Sequence, residues 1–469
     1  MLFSDLPGDE GLPGRQRRLA MIAVMMTTAM SVFDGSMVNI ALPQIAKAMQ
    51  VPAAEIVWVS NGYLLAAAMT LAIFAALATR MGFKNLFATG QVIFTLASLG
   101  CALSSDPNTL IIMRIIQGIG GAATLSIGPA ILRSVFPNRL LGRILGMNAL
   151  LVASSTAIAP MLGGSLLSAM SWQWLFAINL PPGIIAVLLT VRVLPGRVQK
   201  VTERFDIAGA VLSAIIPGAL IMAADSFANT HGQGFTAHTL LMAAGYAVLA
   251  LLAGIAFVWC ERRASKPLLP LSIFASSRFS LAAMTSMASF VSQGITFIAL
   301  PFLFQNVYGY SAFVSALLFT PWPVGIILAA PHSGRLSDRF PPAIISTVGL
   351  AIFVVGLILL ALLPENAAAW DICIRSLVCG IGFGCFQSPN NREMLSNVAR
   401  ENSSYASGIL AIMRMFGQCM GTAIVGVILA LFGQKNLLNE YHGVQTGLWL
   451  AVVSSVLAII LSISRLRKK

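Results

Sequence analysis

Acidic side chains are scarce: sixteen Asp and Glu in 469 residues, with charged residues of both signs at only 10%. A soluble chain of this length could not cover its surface with so little charge. Histidine is scarcer still, and His231, His238, His332 and His442 form neither an HExxH pattern nor a pairing with a nucleophile, which leaves enzyme catalysis without support. No GxxxxGK[ST] phosphate loop occurs, so ATP is not a direct energy source through that chemistry. Cys101, Cys260, Cys373, Cys379, Cys385 and Cys419 lack the paired spacing of a metal or disulfide framework. The pattern calls for no enzyme activity, no cofactor and no metal site.

Apolar residues fill the space left, at 57% of the chain with a mean hydropathy of +0.85. Stretches of about 20 mostly apolar residues, enough to cross a hydrocarbon core of roughly 30 Å, recur at 19–42, 55–78, 86–104, 109–132, 143–167, 172–191, 207–226, 238–260, 279–304, 312–333, 342–363, 371–390, 404–432 and 443–464. They predict an all-α integral membrane protein with 14 transmembrane helices, the tenth interrupted by Pro321, Pro323 and Pro331. The first stretch outruns a signal-peptide core and lacks a small-residue cleavage site, so it is read as the first helix.

The net charge of +13 is a topology signal and not a nucleic-acid patch. With both termini inside, all but five of the 29 Lys and Arg fall in inner segments; Lys47 and Lys435 lie in outer loops, and Arg114, Arg375 and Arg414 within helices. This bias predicts cytoplasmic termini and an even helix count.

Two pairs of segments share nearly one displacement. LATRMGFKN (77–85) resembles LSDRFPPAI (336–344), with Arg80 and Arg339 259 positions apart, and RIIQGIGGA (114–122) resembles RSLVCGIGFG (375–384), with Arg114 and Arg375 261 apart. The halves read as a duplication of about six helices each, with a substrate site between them near the midplane. The organisation is then a cytoplasmic tail at 1–18, a six-helix bundle at 19–191, two inserted helices with charged linkers at 192–278, a second six-helix bundle at 279–464 and a basic tail at 465–469.

FDGSMVNIALP (33–43) places Asp34, the only deep acid on this reading, about eight residues or roughly 12 Å from the outer end of its helix. An ionised Asp at mid-span costs about 2.5–3.5 kcal/mol on insertion scales, so it faces a partner or a wet cavity. Arg114 enters its helix from the same side at a depth that permits pairing, and Asp34 then serves as a proton carrier, as a counter-charge for a cationic ligand, or in a permanent structural ion pair. Arg414 has no acid at its own depth, leaving backbone carbonyls or a wet cavity as its partners. Candidates for a substrate cavity are Trp58, Asn61, Tyr63, Gln117, Phe290, Gln293, Phe386, Gln387, Asn390 and Asn391, whose aromatic and amide groups adapt to many ligands.

In order and over almost the whole chain, these segments resemble the major facilitator superfamily, specifically its fourteen-helix drug:proton antiporter branch. FDGSMVNIALP is similar to that branch's first-helix signature, and Arg114, Gln117, Gly118, Gly120 and Gly121 to its fourth-helix motif, which the resemblance implicates in proton transfer. The fifth-helix motif reads Gly146, Ser155, Ala159, Pro160, Gly163 and Gly164, with serine and alanine where the family prefers glycine; its small residues suit close helix approach and Pro160 a kink. In the inner gating loop Thr79 stands where the family commonly has aspartate, ahead of Arg80, Gly82 and Lys84, whereas the second copy keeps Gly334, Asp338 and Arg339. An asymmetric inner gate is expected.

The resemblance implies proton-coupled antiport by alternating access: multidrug efflux of small lipophilic or cationic compounds from a monomer in the bacterial inner membrane, with drugs, protons and lipid as partners and no nucleic acid. A dedicated exporter or importer of a single metabolite on the same scaffold is the alternative.

Overall fold

The computed structural model describes residues 2–137, 140–196, 204–228, 234–399, 402–432 and 437–467, a few side chains excepted, and no β-strand occurs among them. Seventeen α-helices follow one another: α1 (Gly14–Met49), α2 (Ala53–Ile56), α3 (Trp58–Met81), α4 (Phe83–Ala102), α5 (Pro107–Val135), α6 (Leu141–Ala169), α7 (Trp174–Ala177), α8 (Leu180–Val193), α9 (Ile207–Asp225), α10 (Ala237–Arg263), α11 (Ser277–Phe302), α12 (Ala312–Phe319), α13 (Pro321–Leu336), α14 (Pro342–Ala361), α15 (Ala369–Ser396), α16 (Ser403–Phe432) and α17 (Leu437–Arg467). Thirteen spans among the described residues are long and apolar enough to cross a membrane. The stretch expected at 143–167 is the 29-residue α6, which stands outside those thirteen.

Several expected spans differ in shape, those at 55–78 and 172–191 each falling on two helices, α2 with α3 and α7 with α8. α1 extends to Met49 and not Leu42, passing through Pro43. A proline forfeits one backbone donor, and burial of Ile40, Ala41, Leu42 and Ile45, each at most 1% exposed, holds the helix across it. Asp34 therefore lies deeper than expected, about 15 residues or roughly 22 Å from the helix end. The expected tenth span is two helices, α12 stopping at Phe319 and α13 starting at Pro321, because proline at a first helical position costs no intrahelical bond.

The two halves pack alike. α5 lies between α3 and α4, and α15 between α13 and α14. Gly118 sits against the backbone of Tyr63 and Gly120 against that of Phe94; Gly380 sits against Trp322 and Gly382 against Phe353. Both glycine pairs are offset by 262 positions and both aromatic pairs by 259. This register corrects the expected match of Arg114 with Arg375, since the residue in Arg114's place is Ser376. One residue along a helix is about 100° of rotation, so Arg375 turns away to pair with Asp371 at 3.0 Å, while Ser376 is buried.

The ends of the halves differ. Away from the basic loops, Leu42, Val57 and Phe176 share one core with Phe302, Phe304 and Tyr441 of the other half. Gly164 of α6 lies against Ala312, Phe313 and Ala316 of α12, and Gln305 donates to the Ile40 carbonyl at 2.9 Å across the same seam. At the basic end the cores are separate, one around Phe87 and Ile131 and the other around Phe279 and Met394. The halves thus share a core at the far end, and towards the basic end, among the described residues, they meet along α3 and α16.

α9 and α10 pack on one another, and α9 also lies on α3 and α16, one helix from each half. Only 22% and 17% of their apolar windows are buried, against 83% for the span that starts with α11. The pair is a peripheral hairpin laid over the seam, and α11 is central.

Candidate functional site

Asp34 has no exposed surface. Its Oδ2 accepts from Arg114 Nη1 at 2.5 Å, and its Oδ1 accepts from Gln117 Nε2 and Asn179 Nδ2, both at 3.3 Å. Arg114 also donates to Gln117 Oε1 and to the Val59 carbonyl, each at 2.7 Å, and lies 4.6 Å from the Tyr63 ring centroid. Ser98 Oγ accepts from Gln117 at 2.6 Å and from Asn179 at 3.1 Å. Four elements thus converge on one carboxylate: α1, α4, α5 and the junction of α7 and α8. Glycine makes this possible, because Gly118 and Gly121 let α5 approach Tyr63 closely enough for Arg114 to pass beneath its ring.

Such a cluster does two things chemically. While Asp34 is ionised, a closed set of charge-assisted hydrogen bonds compensates its burial. If Asp34 takes a proton, Arg114 becomes a buried cation without a counter-charge, a state that costs about 3–5 kcal/mol where one partner of a buried pair is lost.

The other expected residues scatter. Trp58 faces the peripheral hairpin, its Nε1 donating to Asp225 Oδ1 at 3.0 Å. Asn61 is 1% exposed and its Oδ1 has no partner. Phe290 and Phe386 both pack on Phe383 in the core of the second half. Gln293 accepts from Gln418 at 3.1 Å. Asn390 is fully buried, donating to the Ala282 carbonyl and accepting from Arg465 at 2.7 Å. Gln387, Asn391 and Arg414 are partly buried.

Of the conformational candidates, Gly82 has φ of 85° and joins α3 directly to α4, a conformation glycine adopts without strain. Arg80 lies 5.2 Å from the Phe205 ring centroid. Asp338 is ion-paired with Arg392 of α15, and Arg339 is exposed. Gly163 touches Met37 of its own half, whereas Gly164 touches α12 of the other. Pro160 and Ala159 are buried in α6; the side chains of Thr79 and position 146 lie outside the described ones.

Sequence reasoning missed Asn179 and Ser98, since a lone amide before Pro181 and Pro182 and a serine in an apolar run carry no pattern. Asp225, Glu261 and Glu393 are buried as well, but close to helix ends, so among the described residues Asp34 is the acid that lies deep within a helix.

A family model described as Major Facilitator Superfamily matches residues 24–422. "Uncharacterized transporter YebQ" of Escherichia coli (strain K12) is 38% identical over 97% of this chain and 96% of its own length. "Riboflavin transporter RibZ" of Clostridioides difficile (strain 630) is 28% identical over 97% of this chain and 98% of its own. "Multidrug resistance protein Stp" of Mycobacterium tuberculosis (strain CDC 1551 / Oshkosh) is 30% identical over 89% and 76%. Among solved structures, an inward-facing, unoccupied bacterial homologue of the human lysosomal transporter Spinster superposes with a TM-score of 0.68 at 15% identity, covering 95% of this chain and 96% of that one.

Proposed function

This chain belongs to the Major Facilitator Superfamily, and from that premise we propose that it is a proton-coupled antiporter that exports small lipophilic compounds by alternating access. The observation that carries the reading is Asp34, a carboxylate without exposed surface in the middle of a membrane helix, balanced by Arg114, Gln117 and Asn179. Intramembrane acids of this kind mark proton relays. With a core shared at the far end, cargo enters from the basic side as the Asp34 proton leaves to that side; after the halves rock and the far ends open, a proton from the far side neutralises Asp34, frees Arg114 and releases the cargo. The likeness to "Multidrug resistance protein Stp" supports export of drugs.

On this reading α6 completes a set of fourteen spans, α9 and α10 are an insertion between two six-helix bundles, and both termini lie in the cytoplasm of a bacterium whose inner membrane holds the protein as a monomer. The inner gate is asymmetric, held on the second half by Asp338 and Arg392. The space between the halves is the cargo path, with Asn61, Gln293, Gln387 and Arg414 at or near its walls.

The test is substrate-evoked proton movement in proteoliposomes. Wild type releases protons when a transported dye is added on the basic side, and Asp34→Asn inserts normally but moves neither proton nor dye. Unchanged dye efflux in that variant at a fixed pH gradient removes Asp34 from the mechanism. A dedicated metabolite transporter is the second reading, favoured by the likeness to "Riboflavin transporter RibZ". Uptake of one compound from a broad panel, with no competition from the rest, would select it.

A further inference from the structure

We infer that Arg414 is the recognition point for an acidic group on the cargo, so that the preferred compounds are lipophilic organic anions such as aromatic carboxylates, and permanent cations are disfavoured. The inference rests on the space between the halves being the transport path. Arg414 lies eleven residues into the 30-residue α16, roughly 17 Å from one end and 27 Å from the other. It is deep from both sides, yet partly exposed. None of the ion pairs among the described residues includes it. The exposed surface belongs to the seam and not to lipid. Its helix neighbours Ala411 and Met415 pack with Ala67 and Leu71 of α3 in the other half, and its guanidinium is close enough to the Tyr63 phenol to act on it electrostatically.

The surrounding charges leave this cation unbalanced. Asp34 also acts on Tyr63, but it is already held by Arg114, so the three central ionisable groups sum to one positive charge. Asp225, an acid on this seam, is hydrogen-bonded to Trp58, and Glu440, at the far end, is hydrogen-bonded to Asn306. Asp225 lies beyond the level at which Ile221 meets Ala423, and Ala423 is nine residues past Arg414, roughly 13 Å along the helix. A guanidinium at such a place is met by water or by a ligand. Its planar fork of donors fits a carboxylate in a way that a point charge does not. One turn along α16, Gln418 and its partner Gln293 add neutral amides on the same face.

The test uses the full chain in detergent and three fluorescent probes of one shape: anthracene carboxylate, its methyl ester and the anthracenylmethyl-trimethylammonium cation. Wild type is expected to bind the carboxylate about tenfold more tightly than either other probe, the size of one charge-assisted contact. Arg414→Gln should erase that margin by weakening the carboxylate alone, and Arg414→Lys should keep part of it, which guards against a misfolded variant. An equal loss for all three probes in Arg414→Gln, or a wild-type preference for the ester or the cation, overturns the inference. Intact proton coupling with no carboxylate margin in wild type would leave the export reading standing and remove this one.

Discussion

At the scale of single residues, the question is whether Asp34 and Arg114 couple protons or only hold α1 to α5. The two roles separate in a pair of variants. Asp34→Asn alone leaves Arg114 as a buried cation, and the expected loss of stability is about 3–5 kcal/mol. Adding Arg114→Gln removes that stranded charge, so the double variant should regain most of the loss in a thermal-shift assay. It should still fail to move protons. Recovery of transport along with stability would mean that the pair is structural. Arg114→Lys should also fail, because an ammonium cannot serve Asp34, Gln117 and the Val59 carbonyl with one planar fork. This part of the site was legible because charge is so rare in the chain that each buried charge asks for a partner. Asn179 was not legible: neutral amides are common in sequence, and only the fold brings residue 179 to within 3.3 Å of residue 34.

At the scale of helices and loops, hydrophobic length located the spans, and the prolines marked the break between α12 and α13. What length could not give was register between the halves. The motifs with Arg114 and Arg375 look parallel, but an extra residue between arginine and glycine in the second copy rotates Arg375 off the packed face, and only the contacts of Gly118 and Gly380 expose the slip. Gly118→Val and Gly380→Val should therefore behave alike. Each puts a side chain into the backbone of the facing helix, at Tyr63 or Trp322, with an expected loss of about 1–3 kcal/mol measurable by thermal unfolding in detergent. A large effect at one and none at the other would deny the equivalence. The loop between α13 and α14 invites a different measurement. Asp338 and Arg392 are 64% and 48% exposed in their side chains, and such surface pairs contribute at most about 1 kcal/mol to stability. Asp338→Asn should hardly shift unfolding, yet it should slow turnover, and more than any change at Thr79. Equal tolerance at positions 79 and 338 disposes of the asymmetric gate.

For the whole molecule, the distribution of Lys and Arg carries an expected orientation, but nothing in the sequence specifies which end of the seam is closed, because both closed and open states use the same helices. The core shared between the halves lies at the far end. Gly164 is a tight point of that closure: a Cβ there would lie 2.9 Å from Ala316 Cβ and from the Ala312 carbonyl oxygen of α12, inside ordinary contact. Leucine at 164 cannot be absorbed by a flexible neighbour, since backbone atoms are among those it meets, so it should wedge the far ends apart. If the two halves rock as bodies, the basic ends must then approach. Spin labels at Lys47 and Leu438 report the far end, and labels at Met81 and Leu395, both exposed at the basic end, report the other. In Gly164→Leu the first distance should lengthen and the second shorten, with export arrested in the far-open state. A lengthened far pair with an unchanged basic pair would mean that the halves bend at the seam instead of rocking about it, and proton binding at Asp34 would then have to reach the gate by another route.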